Sequence, residues 1–304
     1  MGHGHGPPTT ATGAHRRPLA IALSLALGVF VLQVVGAWIT GSLALLADAG
    51  HVLTDAGGVA LALVAASLAQ RPATDRRTFG WQRLEILAAA FNALLLIGVA
   101  GFVLVEGVRR LGDPPDVESG PMLVIATVGL VANAAALAVL HRGQRESLNV
   151  RGAYLEVLAD LLGSVAVVVA AVVILTTGWA AADPVASIVI GLFILPRTWF
   201  LLREALDVLL EATPRGVDLA EVRRHMTSVP GVLDVHDLHA WTITSGNPVL
   251  SAHVVVDDDV IACGNGGAVL DRLGDCLAGH FDVEHSTFQL EPAGHRAHEG
   301  VTHD

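Results

Sequence analysis

Apolar residues in this chain come in long blocks separated by short polar joints. The blocks run at about Pro18–Ile39, Ser42–Ala69, Leu84–Val108, Pro121–Leu140, Gly152–Thr177 and Pro184–Phe200. Several reach or exceed the roughly 20 residues that a helix needs to cross a bilayer core, so the pattern predicts six transmembrane helices. Arg16-Arg17 ahead of an apolar run resembles a signal peptide, but the run is too long and lacks a clear cleavage site. It is read as a retained first helix.

Beyond Leu202 the period changes. Residues 205–212 form a charged connector, and Pro214 opens a module with a helical pattern at Asp218–Ser228, Asp218 placed to cap it and Pro230-Gly231 to end it. Val232–Thr244 and Pro248–Val256 are β-branched runs joined by Ser245-Gly246-Asn247, a hairpin signal. Val269–Phe281 reads as a second helix and Val283–Leu290 as a third strand. The expectation is a six-helix domain over 18–204 and a small α+β domain, αββαβ and ferredoxin-like, over 213–292. Residues 1–17 and 293–304 read as disordered His-containing tails.

Charge sharpens this picture. Through Glu204 there are 13 acidic residues and 13 arginines; from Ala205 onward there are 16 against 5, and no lysine occurs anywhere. The whole negative excess belongs to the C-terminal part, which argues against nucleic acid and suits a domain that attracts cations. Arg16, Arg17, Arg71, Arg76, Arg77, Arg83, Arg142, Arg145, Arg151, Arg197 and Arg203 fall at the ends and even-numbered joints, against Arg109 and Arg110 at an odd one. The positive-inside bias then puts both termini in the cytoplasm. Cys263 and Cys276, without CxxC spacing, read as reduced thiols.

Polar residues inside the blocks carry the chemistry. An acidic side chain at mid-bilayer costs about 2.5–3.5 kcal/mol on insertion scales, so it faces protein and marks an ion path. His51 and Asp55 stand four apart in the second block, and Glu156 and Asp160 in the fifth. At 1.5 Å per residue the first pair lies about 13–20 Å below the outer edge and the second about 6–12 Å from the inner edge, so the two overlap just inward of the midplane. A four-ligand site between antiparallel helices is feasible. A structural network is the competing reading, but three carboxylates against one neutral imidazole lack the charge to close it. Asp48 is read either as a proton relay or ligand support, or as a helix residue near the outer vestibule. Asn92 and Asn133 read as interhelical hydrogen bonds.

Leu46-Ala-Asp-Ala-Gly-His-Val-Leu-Thr-Asp55, Phe79-Gly-Trp-Gln-Arg-Leu-Glu85, Gly152-Ala-Tyr-Leu-Glu-Val-Leu-Ala-Asp160 and Val235-His-Asp-Leu-His-Ala-Trp241 together resemble the cation diffusion facilitator family, in its bacterial zinc-transporting branch. The resemblance implies a homodimeric antiporter that exports a divalent metal from the cytoplasm in exchange for protons. It implies His51, Asp55, Glu156 and Asp160 as the transport site, with Glu156 where zinc-selective members often have His. That harder donor set suits Zn²⁺ while admitting Cd²⁺ or Co²⁺. In the module it implies a metal site drawn from His236, His239, His253, His285 and Glu291, favouring His253, His285 and Glu291 with one of the first two, and Gln289 as a weaker alternative. His236 and His239 are three apart, so they share a face only across a bulge. It implies a dimer interlock between Arg83 and Asp207. A further loop site used by some members is not expected, because Asp75–Trp81 holds Arg and Trp instead. A metallohydrolase is disfavoured by the lack of His-Glu-x-x-His; a membrane sensor without transport needs the same ligands and differs only in flux.

Overall fold

The computed structural model describes residues 12–141, 148–244, 247–280 and 285–298. Among them six long helices come first: α1 Thr12–Thr40, α2 Leu43–Ala69, α3 Leu84–Gly112, α4 Ser119–Leu140, α5 Leu148–Thr177 and α6 Ala182–Leu209. Among the described residues five of these helices are long and apolar enough to cross a membrane; α2 carries Asp48, His51 and Asp55 within its 27 residues. The protein is a multi-pass membrane protein with a small α+β domain. The tails at 1–11 and 299–304 lie outside the described residues.

The chain forms two compact units, the first built from residues 1–61 and 91–202, the second from 62–90 and 203–304. In the first, an Ala-rich core of Ala44, Ala47, Ala100, Ala126, Ala170 and Ala186 is filled out by Leu45, Leu96, Val167 and Ile190. Lipid offers no hydrophobic drive for helices to associate, so close backbone approach does the packing. A Cβ at Gly36 would sit 2.7 Å from Ile125, and one at Gly107 would sit 2.8 Å from Ile188.

The start of α2 is held by a carboxylate from another helix. Buried Asp183, in the first turn of α6, accepts from Leu43 N at 2.8 Å, from Ala44 N at 3.2 Å and from Ser42 Oγ. These amides have no intrahelical partner, so one negative charge satisfies several orphan donors and fixes the depth of α2 against α6.

In the second unit, α7 Leu219–Thr227 starts at Asp218, whose carboxylate accepts from Ala220 N and Glu221 N as expected. Strands β1 Val232–Thr242 and β2 Pro248–Val256 pair antiparallel, and β3 His285–Pro292 adds parallel to β2, giving the order β1-β2-β3. The short α8 Asp258–Ala262, which the sequence reading did not foresee, precedes α9 Gly266–His280; a 3₁₀ turn follows at His295–His298. The expected α+β order is otherwise observed. Val222, Met226, Leu238, Leu250, Val254, Val269, Leu273 and Leu277 form the core between the sheet and α7 and α9. The other sheet face carries His253, Gln289 and Glu291 alongside Val249 and Val255.

Also in this unit, Arg77 lies over the Trp81 ring at 3.6 Å, and Thr244 Oγ1 donates to Glu85 at 3.0 Å. Within one protomer Arg83 and Asp207 each have another partner. Arg83 binds Glu211 at 2.7 Å, one turn further on, and Asp207 faces Arg215 at 3.7 Å.

Candidate metal centres

On α2 the spacing of four brings His51 Nε2 and Asp55 Oδ2 to 3.6 Å. From α5, Asp160 Oδ1 comes to 3.7 Å of the same imidazole nitrogen. These separations are too long for hydrogen bonds, and Asp55 Oδ2 and Asp160 Oδ1 have no donor although both are buried. A tetrahedral ion with bonds of about 2.0–2.2 Å sets its ligand atoms roughly 3.3–3.6 Å apart. Three donor atoms within 4.8 Å of one another therefore fit a small divalent cation better than they fit each other.

Glu156, the fourth residue expected here, is not in that cluster. Its carboxylate lies 3.6 Å from Arg197 Nη2 on α6, directly after the helix-internal Pro196. It also interacts electrostatically with the Asp55 carboxyl, and two neighbouring carboxyls disfavour each other's ionisation. By sequence alone Arg197 shows only as a charge that marks membrane orientation. Its signal as a functional residue was an arginine placed where α6 continues past Phe200 to Leu209.

One turn from the cluster, Asp48 is fully buried with Gln33, Asn133 and Ser164. Asn133 is an interhelical bond, as expected, donating to Ser164 Oγ at 3.1 Å. Asn92 packs against Gly58.

The second centre lies on the open face of the sheet. Pairing runs His236 to His253 and then His239 to Ser251, so β1 spends one residue more than β2. That residue is in the bulge at Asp237, whose φ of 45° is in the left-handed region that Asp tolerates better than most residues. With the bulge, Val235 and Leu238 both enter the core, and His236 and His239 share the opposite face. His253 Nδ1 is 2.8 Å and His236 Nε2 3.2 Å from the two oxygens of Glu291. Gln289 Nε2 donates to Glu291 Oε1 at 2.8 Å, so it orients the carboxylate. His236 and Glu291 are almost wholly buried. His239 lines the adjoining pocket with Asp237, Ser251, Thr287 and Gln289. His285 is not brought in: it pairs with Val249, whereas Glu291 pairs with Val255 at the far end of the strand.

Residues 19–210 match the family model described as the cation efflux transmembrane domain, and 214–293 match that of the cation efflux protein cytoplasmic domain. The cation efflux system protein CzcD of Alcaligenes sp. is 50% identical over 292 residues, 96% of this chain and 90% of that protein. The zinc transporter ZitB of Escherichia coli is 41% identical, covering 95% of this chain and 91% of its own. A cadmium, cobalt and zinc/H(+)-K(+) antiporter of Bacillus subtilis is 37% identical, covering 97% and 93%.

Proposed function

The chain belongs to the cation efflux family, and on that premise we propose that it exports divalent metal ions, Zn²⁺ foremost and Cd²⁺ or Co²⁺ as well, in exchange for protons. The observation that carries the reading is the convergence of His51, Asp55 and Asp160 from two apolar helices. Glu156 completes the site by leaving Arg197 for the ion. Fully ionised, three carboxylates without a metal are costly in a low dielectric, so the metal-free site holds at least one proton, between Asp55 and Glu156. Metal and proton compete for the same lone pairs. Alternating access follows if the loaded and protonated forms let the helices rock while the bare anionic site does not.

The chain acts as a homodimer with both termini in the cytoplasm. His236, His253 and Glu291, with His239 beside them, bind a second ion that regulates rather than travels. His285 is left out of this site. The Zn²⁺, Cd²⁺, Co²⁺ and proton named for the relatives support the choice of cargo and counter-ion.

The direct test is complementation. A bacterium made zinc-sensitive by loss of its own exporters regains growth in elevated Zn²⁺ with this chain and not with Asp55→Ala expressed at equal level. Equal rescue by both would overturn the site, and no rescue by either would overturn the export reading.

A further inference from the structure

Asp48 is a carboxylate one turn before His51, buried to about 1% exposure, and the cluster described above does not use it. Its Oδ2 accepts from Gln33 Nε2 on α1 and from Ser164 Oγ on α5, the latter at 3.3 Å, and Ser164 in turn accepts from Asn133 of α4. Four helices are thus joined through one chain of hydrogen bonds. Its Oδ1 has no partner, and neither has Gln33 Oε1, although both residues are at 1% exposure.

A buried carboxylate with two donors on one oxygen and none on the other is half satisfied, and an amide whose oxygen is idle is half used. Both deficits close when a proton is added. With Gln33 Nε2 still donating to Oδ2, a protonated Asp48 Oδ1 donates to Gln33 Oε1, the paired arrangement of a carboxylic acid and an amide. Ionised, Asp48 accepts from Nε2. The carboxamide thus serves either state.

Metal does not fit this layer. It offers one carboxylate and no imidazole, and Gly163 closes on it: a Cβ there would lie 2.6 Å from Asp48 Oδ1. An ion at bonding distance would lack the further ligands it needs. A proton needs only one acceptor and one oxygen.

Resting on the export reading above, we propose that Asp48 is a second proton-carrying site, stacked one helical turn from the metal site, that loads when the metal leaves and empties when it binds. The stacking is built into both helices, since Asp48 precedes His51 by three residues and Ser164 follows Asp160 by four. The ionisable groups facing Asp48 are His51 on its own helix and Asp160 on α5. α1 from Ile21 to Thr40 and α4 carry none, and Asp183 is engaged at the start of α2. Asp48 and Asp160 interact electrostatically, so a divalent charge among His51, Asp55 and Asp160 favours the ionised form of Asp48, and its loss favours the protonated one. Only an O–H bond is broken or made; the proton is exchanged with water.

The test is infrared difference spectroscopy of the purified full-length protein, metal-free against Zn²⁺-loaded, with protons released on Zn²⁺ binding counted in weak buffer. Wild type is expected to lose a protonated-carboxyl band on loading. Asp48→Asn is expected to lack that band, to release about one proton fewer per metal and to bind Zn²⁺ within about threefold of wild type. An unchanged band and proton count in Asp48→Asn would overturn the proposal. Should that variant fail to fold, Gln33→Leu decides: removing the acceptor shifts the band of a protonated Asp48 and leaves any other carboxyl's band in place. Zn²⁺-driven spectral change without flux in vesicles would overturn the export reading and leave Asp48 standing.

Discussion

His51 on α2 and Asp160 on α5 meet at 3.7 Å, a distance set by helices that are separated by some hundred residues of chain and joined by no hydrogen bond between these two groups. Asp55 sits at 3.6 Å on the other side of the same nitrogen. The imidazole is the hinge of the site, and its loss leaves carboxylates alone. His51→Asp is therefore expected to keep divalent binding while shifting preference from Zn²⁺ toward harder ions such as Mn²⁺, because oxygen-only sets suit them. Competition titration of the purified variant checks this; unchanged Zn²⁺ preference would contradict it.

Arg197 and the ion claim the same carboxylate. Arg197→Gln frees Glu156 and is expected to tighten Zn²⁺ binding by about 2- to 5-fold, the scale of one exposed charge pair. In a Glu156→Gln background the same change should do much less. Isothermal titration of the four proteins gives the coupling directly, and an equal gain in both backgrounds would show that Arg197 acts only through its field.

Acidity acts on every donor in both centres with one sign. Binding requires neutral imidazole and ionised carboxylate, so each proton displaced makes affinity fall as pH falls. Measured as log Kd against pH, Zn²⁺ binding is expected to weaken at least about tenfold per pH unit on the acid side, one proton per metal. A flat profile would mean that the site is deprotonated before metal arrives.

The bulge at Asp237 carries the sheet site. Asp237→Gly accepts the positive φ and should keep metal binding, whereas Asp237→Val is strained there by about 1–3 kcal/mol. If β1 then pairs without the bulge, His236 or His239 turns into the core and the module's ion is lost. Metal content per chain, by elemental analysis with the transport site disabled by Asp55→Ala, distinguishes the two variants.

Asp183 ties the first turn of α6 to that of α2. Asp183→Ala leaves the Leu43 and Ala44 amides without their acceptor and is expected to cost about 1–3 kcal/mol. A lower melting temperature in detergent with His51, Asp55 and Asp160 unchanged is the signature. No loss of stability would show that water caps α2 equally well.

What was legible beforehand is what depends on local spacing. The apolar blocks located all six helices to within a few residues at most ends, α6 running furthest past its block, because bilayer burial is written residue by residue. The spacing of four put His51 with Asp55, and the antiparallel depth argument put Asp160 beside them. What was not legible depends on choices among near-equivalent partners. Within one protomer Arg83 binds Glu211, one turn beyond Asp207, a choice that spacing alone does not make. Glu156 carries the right charge at the right depth, yet an arginine one helix away claims it. The bulge at Asp237 required a backbone state that the β-branched pattern of β1 does not reveal, though the three-residue gap between His236 and His239 pointed to it. His285 has strand spacing to Gln289 and Glu291, but register alone decides that it pairs with Val249, away from the cluster.

The central claim is that metal moves through the site of His51, Asp55, Glu156 and Asp160 in exchange for protons. It is tested most directly in sealed vesicles of purified protein, with internal metal and pH dyes read together under an imposed pH gradient. Wild type is expected to accumulate Zn²⁺ against its gradient with simultaneous proton flow the other way, and Asp55→Ala to show neither. Zn²⁺ binding without gradient-driven movement in wild type, or equal movement in Asp55→Ala, would contradict it.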